Sequence, residues 1–158
     1  YIPAGGDIPD REQNEKFGQK LDFLAELESW SQRLKRENAR SVLVGDLNIA
    51  PLVADVWNHK SLLGVVSHTP VETETLTRIL NVGEWTDAIR HLVPEPERFY
   101  TWWSYRSSDW AAANKGRRLD HIWVGEALKS RIQSHALTRD ARGWERPSDH
   151  VPLALTLR

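Results

Sequence analysis

Apolar residues recur at three- and four-residue steps through the first part of the chain. The repeating positions hold large side chains, namely Phe17, Leu21, Leu24, Leu27, Trp30 and Leu34. Because this spacing follows the helical period, it places all of them on one face of a helix. The pattern therefore predicts a long amphipathic helix from about Asp10 to Glu37.

The rest of the chain shows short apolar runs separated by turn residues. Ser41–Gly45 has the length and composition of a buried strand, and Pro51 prevents a regular continuation of the segment after it. A second helix is predicted to begin at Thr69 and Pro70, an N-cap residue followed by proline in the first turn, and to end before Gly83. Four further strands are predicted, at Tyr100–Ser104, Leu119–Val124, Ile132–Leu137 and Leu153–Leu157. Strands mixed with packed helices indicate an α/β or α+β layered domain.

Composition narrows the functional classes. The chain has 158 residues and no linker that would divide it, so residues 1–158 are predicted to form a single domain. Cysteine is absent, which excludes disulfides, thiolate metal ligands and cysteine nucleophiles. No apolar run has membrane-spanning length and no secretory leader is present, so a soluble protein of the cytoplasm, with no membrane partner, is expected. Methionine is absent even at position 1, which favours a fragment or processed piece of a longer protein.

The formal net charge of −1 does not by itself indicate a nucleic-acid-binding protein. Basic residues nevertheless cluster beside the motifs described next. The two clusters are Lys115, Arg117 and Arg118, and Arg139, Arg142 and Arg146. Lysine and arginine grouped in this way are candidate phosphate contacts.

Three short segments place acidic, amide or imidazole groups where predicted strands end. In the first, Gly45-Asp-Leu-Asn48, the side chains of Asp46 and Asn48 are two residues apart and project to the same side of an extended chain. One supplies a charged acceptor and the other an amide donor and acceptor. Taken alone, an Asx turn explains this tetrapeptide slightly better than a catalytic role.

The second and third segments contain Asp120 and the sequence Ser148-Asp149-His150. Asp120 interrupts an otherwise buried strand, and a buried carboxylate needs a partner. Asp149 and His150 are neighbours on extended chain and therefore point in different directions. We expect His150 to pair with Asp120, which would orient and charge the imidazole. Alternatively, Ser148 caps a turn that has no chemical role.

Together the segments resemble, in order and over essentially the whole chain, the exonuclease III branch of the endonuclease/exonuclease/phosphatase superfamily, which includes apurinic/apyrimidinic endonucleases. The matching motifs are Tyr1-Ile-Pro-Ala-Gly5, Gly45-Asp-Leu-Asn48, Tyr100-Thr-Trp-Trp-Ser-Tyr-Arg106, Arg118-Leu-Asp120 and Ser148-Asp-His150. The first and third favour the DNA-repair branch over the lipid and inositol phosphatases. The resemblance implies the C-terminal half of a four-layered α/β sandwich, built from two packed, mixed but mostly antiparallel β-sheets flanked by helices.

The implied function is that of a metal-dependent DNA-repair nuclease of the exodeoxyribonuclease III type. Such enzymes hydrolyse the phosphodiester on the 5′ side of an abasic site and remove nucleotides or blocking groups from 3′ ends. The implied partner is double-stranded DNA with abasic sites or 3′ ends, and a monomer in the bacterial cytoplasm or nucleoid is expected. The alternatives are a phosphatase or phospholipase of the same superfamily and a catalytically silent DNA-binding relative. The intact acid, amide and imidazole set argues against the silent relative.

The resemblance also implies catalytic roles for five residues. Asp46 would position or deprotonate the attacking water, and Asn48 would hold that water or a phosphate oxygen. His150, oriented by Asp120, would donate to a non-bridging phosphate oxygen or serve as the base. Tyr1 would contact the same phosphate.

A metal ion, Mg²⁺ or Mn²⁺, is implied near Asp149, with Asp46 and Asn48 as further ligands, because all three are hard oxygen donors. The family's principal metal-binding Asn and Glu precede the Tyr-x-Pro motif that Tyr1 begins. We therefore expect this chain alone to be inactive or nearly so, and to lack half of the metal site.

Four residues are expected to contact DNA or a lesion: Trp102, Arg117, Arg118 and Leu119. Trp102 and Leu119 would form apolar walls of a lesion pocket, although core packing is an equally good interpretation of Trp102. Arg117 stands where some relatives have Trp or Leu. The pocket is therefore more polar, and strict preference for abasic sites is less secure.

Overall fold

Helices and short antiparallel strands alternate along the chain, as shown by a computed structural model that describes residues 1–37 and 40–158. The helices are α1 (Glu15–Arg36), α2 (His59–Leu62), α3 (Pro70–Val82), α4 (Ala88–Leu92), α5 (Trp110–Ala113) and α6 (Glu126–Lys129). The strands are β1 (Val42–Asp46), β2 (Trp85–Asp87), β3 (Trp102–Trp103), β4 (Gly116–Arg117), β5 (Asp120–Gly125), β6 (Ile132–Leu137) and β7 (Leu153–Leu157). They form sheets β1-β5-β2, β3-β4 and β6-β7, and each of these pairings is antiparallel. The predicted mixed, mostly antiparallel α/β fold is confirmed.

The central strand β5 determines where the site lies. It pairs with β1 in a register that sets Val44 opposite Ile122 and Asp46 opposite Asp120. Every residue of β5 after Asp120 is buried, so the strand is fixed by packing on both faces. Asp120 is therefore held rigidly at the end of the sheet, directly across from Asp46.

The two long helices pack against this sheet and against each other. The apolar face predicted for α1 is present, with Phe17 and Leu24 buried and Trp30 stacked on Trp85 at 6.3 Å between ring centroids. The helix begins later than predicted, at Glu15, because the side chain of Asn14 accepts from the backbone N–H of Lys16 and caps it. The predicted Thr69 cap and Gly83 end of α3 are both confirmed.

The shorter elements follow the sequence pattern less closely. Strands β6 and β7 have the predicted bounds, whereas the strand predicted at Tyr100–Ser104 shrinks to Trp102–Trp103. The hydrogen bonds around that pair are irregular, since the N–H of Thr101 donates to the carbonyl of Arg117 and the N–H of Trp103 donates to the carbonyl of Asp149. Strands β2 and β4 and the four short helices were not predicted, because two to five residues are too few for a periodic pattern. Within the described residues, no helix is long and apolar enough to cross a membrane.

Candidate active site

Asp46, Asp120 and His150 converge at the end of the central sheet. His150 Nδ1 lies 2.8 Å from Asp120 Oδ2, and His150 Nε2 lies 3.7 Å from Asp46 Oδ2. The expected contact between His150 and Asp120 is therefore present. An isolated bridge between His150 and Trp102 brings the chain segment of His150 into place. One imidazole thus lies between two carboxylates that come from adjacent strands.

The surroundings of His150 favour its protonated form. Burial acts to lower the pKa of His150, but the hydrogen bond to Asp120 and the charges of Asp120, Asp46 and Asp149 raise the pKa above its ordinary value. Because an ionised carboxylate only accepts hydrogen bonds, the proton shared with Asp120 belongs to Nδ1. The second ring nitrogen, Nε2, is then the donor on the Asp46 side of the ring.

Asp46 and Asn48 form a compact turn at the end of β1. The backbone N–H of Asn48 donates to Asp46 Oδ1 at 2.8 Å, and the Asn48 amide donates to Asp46 Oδ2 at 3.0 Å and to the carbonyl of Ile2 at 2.9 Å. Burial raises the pKa of Asp46 although the Asn48 N–H opposes the shift. The Asx turn considered from the sequence is therefore real, and it lies inside the candidate site.

Tyr1 stands next to this turn. The N–H of Ile2 donates to the carbonyl of Asp46 at 2.9 Å, which fixes the start of the chain beside β1. The Tyr1 side chain is 89% exposed. Its predicted contact with a substrate phosphate stays a prediction.

The backbone of residues 48–50 is held by three buried basic side chains that sequence reasoning did not place in the site. Each donates to one successive carbonyl: Lys20 Nζ to Asn48 at 2.8 Å, His121 Nε2 to Ile49 at 2.8 Å and His68 Nδ1 to Ala50 at 2.6 Å. The three side chains come from different parts of the fold: Lys20 from α1, His121 from β5 and His68 from the segment before α3. A lysine inside the apolar stripe of a helix was the one available sequence signal.

Arg118 is not at the surface, so its predicted contact with DNA is wrong. Its side chain is fully buried and binds Asp55 through Nε at 2.7 Å and Nη2 at 3.0 Å, and Asp87 through Nη1 at 2.7 Å. Arg90 completes the cluster with a 2.5 Å contact to Asp55. Burial acts to raise the pKa of both carboxyls, but the Arg118 charge, together with hydrogen bonds and the neighbouring Arg90 and His121, outweighs it and holds each pKa below its usual range. Arg118 thereby anchors the chain just before Asp120.

A groove of about 680 Å³ runs from Asn48 past Trp102, Arg117 and Leu119. Trp102 is half-buried, and Leu119 is largely buried against Ala50, so both form part of the wall. The Arg117 guanidinium lies over the Trp102 ring at 5.4 Å and donates to Ser67 Oγ at 2.7 Å, while its buried Nε has no hydrogen-bond partner among the residues that the structure describes. Arg106 and Lys115 add positive charge to the lining.

Asp149 lies beside this groove. Its Oδ2 accepts a hydrogen bond from Trp102 Nε1 at 2.9 Å. The acidic and imidazole group with metal-ligand spacing among the described residues is Asp46, Asp120 and His150, whose ligand atoms lie within 4.8 Å of one another. Two carboxylates this close concentrate the negative charge that a hard divalent cation requires. Asp149 is not in that group, and its metal role stays a prediction.

Comparison with known proteins agrees with this geometry. The sequence profile of the Endonuclease/Exonuclease/phosphatase family matches residues 2–150. Exodeoxyribonuclease III of Haemophilus influenzae is 31% identical over 159 residues, covering 97% of this chain and 58% of the relative. Exodeoxyribonuclease of Bacillus subtilis is 36% identical over 116 residues, covering 73% of this chain and 44% of the relative. The chain therefore spans about half the length of these curated relatives.

Solved structures show the same fold. An AP endonuclease from Archaeoglobus fulgidus superposes with a TM-score of 0.89 at 29% identity, over 99% of this chain and 59% of that one. The 3′-5′ exonuclease NExo from Neisseria meningitidis gives a TM-score of 0.88 at 30% identity, with 99% and 59% covered. The fold around Asp46, Asp120 and His150 is thus that of known nucleases.

Proposed function

Because the chain belongs to the Endonuclease/Exonuclease/phosphatase family, we propose that it carries the proton-transfer machinery of a metal-dependent DNA-repair nuclease of the exodeoxyribonuclease III type. One observation carries the proposal: Asp46, Asp120 and His150 converge beside a groove whose lining combines Trp102 with Arg117. A carboxylate, an imidazolium and an arginine-lined groove together suit hydrolysis of a phosphodiester.

His150 acts as the donor in this scheme. Burial acts to lower the pKa of His150, but the carboxylates on both sides raise it, and the cationic imidazole that this favours has no lone pair with which to act as a base. Its Nε2–H would donate to a non-bridging phosphate oxygen and offset the charge that develops there. Asp120 is then a positioning residue that fixes the ring plane and stabilises the imidazolium charge.

Asp46 acts as the base. The oxygen of the attacking water forms a bond to phosphorus as the bond from phosphorus to the leaving 3′ oxygen breaks. The proton of the water passes to Asp46, and the leaving oxygen takes a proton from solvent to become a hydroxyl. Burial raises the pKa of Asp46 and so makes this carboxylate a stronger base. Both hydrogens of the Asn48 amide nitrogen are donated, to Asp46 Oδ2 and to the Ile2 carbonyl, so the side chain would hold the attacking water through its Oδ1, which accepts.

A Mg²⁺ or Mn²⁺ ion fits the donor set. Asp46 and Asn48 would hold it through hard oxygen atoms at the end of β1, and Asp149 is the proposed third ligand, since its charge acts on the neighbouring His150. When bound, the ion would stabilise negative charge on the phosphate and the leaving oxygen.

The proposed substrate is double-stranded DNA with an abasic site or a 3′ end. The positive lining of the groove supports a phosphate backbone, and exposed Tyr1 beside Asp46 supports a contact with the scissile phosphate. A second candidate function is the removal of a 3′-terminal group. Arg117 favours this function, because it places a cation on the groove wall. The same fold occurs in the 3′ phosphatase NExo from Neisseria, solved with a product DNA hairpin bound, which superposes with a TM-score of 0.89 at 29% identity.

The test compares three duplexes in Mg²⁺: one with a single abasic site, one with a 3′-phosphate end and one undamaged. Asp46→Asn and His150→Ala are expected to abolish processing of the first two by the native protein that carries this chain. Arg78→Ala, which removes only an exposed ion pair with Glu28, is the control and should retain full activity. Release of phosphate from a lipid or inositol phosphate, with no action on any duplex, would overturn the DNA assignment.

A further inference from the structure

Two residues of the groove wall adopt a backbone conformation that L-amino acids disfavour. Asn48 has a φ of 51° and Ser67 a φ of 88°, and both line the groove. Asparagine tolerates the left-handed region of backbone conformation, but serine rarely adopts it. Such conformations persist only where the surroundings hold them in place, and they concentrate at functional sites.

One buried ion pair holds both of them. Lys20 on α1 and Glu72 on α3 have side chains that are 0% exposed, and Lys20 Nζ lies 2.5 Å from Glu72 Oε1. Lys20 Nζ also donates to the carbonyls of Asn48 at 2.8 Å and Ala4 at 3.2 Å. An ammonium has three hydrogen atoms, so these three acceptors satisfy it completely.

The Glu72 end of the pair holds the second strained residue. The N–H of Ser67 donates to both Glu72 oxygens at 3.0 Å, and the N–H and hydroxyl of Thr69 donate to Oε2. Ser67 in turn accepts from Arg117 through its hydroxyl and from the N–H of Ala50 through its carbonyl. The ion pair therefore links the Asn48 side of the groove to the side that carries Arg117.

The approach of the first segment to Lys20 depends on glycine. Gly5 has a φ of 90°, and a Cβ there would lie 2.9 Å from Lys20 Cδ. The backbone beside Ala4 is thus shaped around the lysine stem. An ion pair that only joined two helices would need none of these attachments, and an apolar pair of similar volume would serve as well or better for stability.

We propose that Lys20 is a positioning residue that acts through Asn48, and that the Lys20–Glu72 pair sets the groove width between Asn48 and Ser67. The carbonyl bond to Lys20 fixes the Asn48 backbone, and that backbone aims the amide at Asp46. The catalytic part of this role rests on the proposed nuclease function, whereas the structural part does not.

The experiment replaces Lys20 with methionine in the native protein that carries this chain. Amide hydrogen exchange of Asn48 and Ser67 is expected to accelerate at least about 10-fold relative to the amide of Leu47, which bonds to the Leu119 carbonyl outside the network. On abasic DNA, kcat is expected to fall about 10- to 100-fold, because displacing a catalytic group by about 1 Å slows a reaction by this factor. The dissociation constant for DNA should change less than about threefold, since the basic residues Arg106, Lys115 and Arg117 remain in the groove lining.

Ile79→Ala is the matched control, because it opens a cavity in the core without touching the groove. It should lower the melting temperature yet leave kcat and the relative exchange of Asn48 and Ser67 unchanged. If Lys20→Met changed kcat and the relative exchange of Asn48 and Ser67 no more than Ile79→Ala does, the proposal would be overturned. If Lys20→Met does not fold, Glu72→Gln keeps the shape of the side chain and must accelerate exchange at Ser67. If the wild type cleaves no DNA, the proposed function fails and the exchange result alone decides the positioning role.

Discussion

His150 and Asp120 lie 30 residues apart in the chain, yet His150 Nδ1 and Asp120 Oδ2 are 2.8 Å apart in the fold. The contact depends on two strand pairings: β5 places Asp120 at the end of the central sheet, and the bridge to Trp102 brings His150 beside it. These pairings hold the two groups in place. Because both groups are only partly buried, a substrate phosphate can still reach them.

Asp120→Asn is expected to lower the pKa of His150. Asp120 provides the largest upward contribution to that pKa, through its hydrogen bond and its charge, and asparagine removes the charge. The measurement is an NMR titration of the imidazole in metal-free protein. Activity should fall with the pKa, by about 10²–10⁴-fold, which is the usual contribution of a positioned acid or base.

Asp149→Asn provides the comparison, because Asp149 is the last and weakest of the groups that raise the His150 pKa. Its effect on the titration should be smaller than that of Asp120→Asn. The raised pKa also gives a direction for stability: the His150 contribution is complete below the unfolded pKa of about 6.5 and is lost as pH rises through the folded pKa. An unchanged titration in Asp120→Asn would show that the hydrogen bond does not set the protonation of His150.

Arg118→Met is expected to lower the free energy of unfolding by about 3–5 kcal/mol, because it leaves the buried carboxylates of Asp55 and Asp87 without their main partner. Denaturant unfolding at neutral pH measures the loss. Arg78→Met, at an exposed pair, should cost less than about 1 kcal/mol. A similar small loss in both variants would contradict the assignment of Arg118 to the folded core.

The same cluster predicts the response of wild-type stability to acid. The folded-state pKa values of Asp55 and Asp87 are held below the usual range by Arg118. Their stabilising contribution is therefore complete above the unfolded pKa of about 3.9, and it is lost as pH falls through the folded values. Melting temperature measured from pH 7 downward should decline below about pH 4, and it should decline less in Arg118→Met.

The sequence predicted the elements that have local signals. Thr69 and Glu72 form the capping box that starts α3, and the alternation in β6 and β7 gave the bounds of both strands. The pairing of Asp120 with His150 was predicted because a carboxylate in a buried strand needs a partner, and the imidazole was the natural one.

What the sequence could not predict depends on contacts between distant segments. Arg118 follows another arginine next to a motif and therefore resembled a DNA contact. Its partner Asp55 lies 63 residues away on a 3₁₀ turn, and its partner Asp87 lies 31 residues away on a three-residue strand. Neither element has a periodic pattern. The place of Lys20 under Asn48 was hidden for the same reason, since the two residues are 28 positions apart.

Metal removal is expected to abolish DNA processing, and Asp46→Asn is expected to weaken Mn²⁺ binding at least about 10-fold, because it replaces a charged oxygen ligand with a neutral amide. Calorimetric titration with Mn²⁺ gives the affinity without any need for turnover. Asp22→Asn, which alters an exposed carboxylate on α1, is the control and should bind Mn²⁺ as the wild type does. Full activity in the presence of a chelator would contradict a metal-dependent reaction.

Arg117→Leu is expected to shift substrate preference toward abasic sites. In the wild type, the guanidinium lies over Trp102 on the groove wall, where its charge can pair with a substrate phosphate oxygen. A hydrogen bond to a charged group contributes about 1.5–3 kcal/mol, so its loss should lower processing of a 3′-phosphate end about 10- to 100-fold. Cleavage at an abasic site should fall less, because a bare sugar offers no such charge, and the added leucine extends the apolar wall formed by Leu119.

The measurement is the ratio of kcat/KM for the two duplexes. Arg106→Leu, at an exposed position of the same groove, should reduce both values together and leave the ratio unchanged. An unchanged ratio in Arg117→Leu would confine Arg117 to holding Ser67 and Trp102 in place.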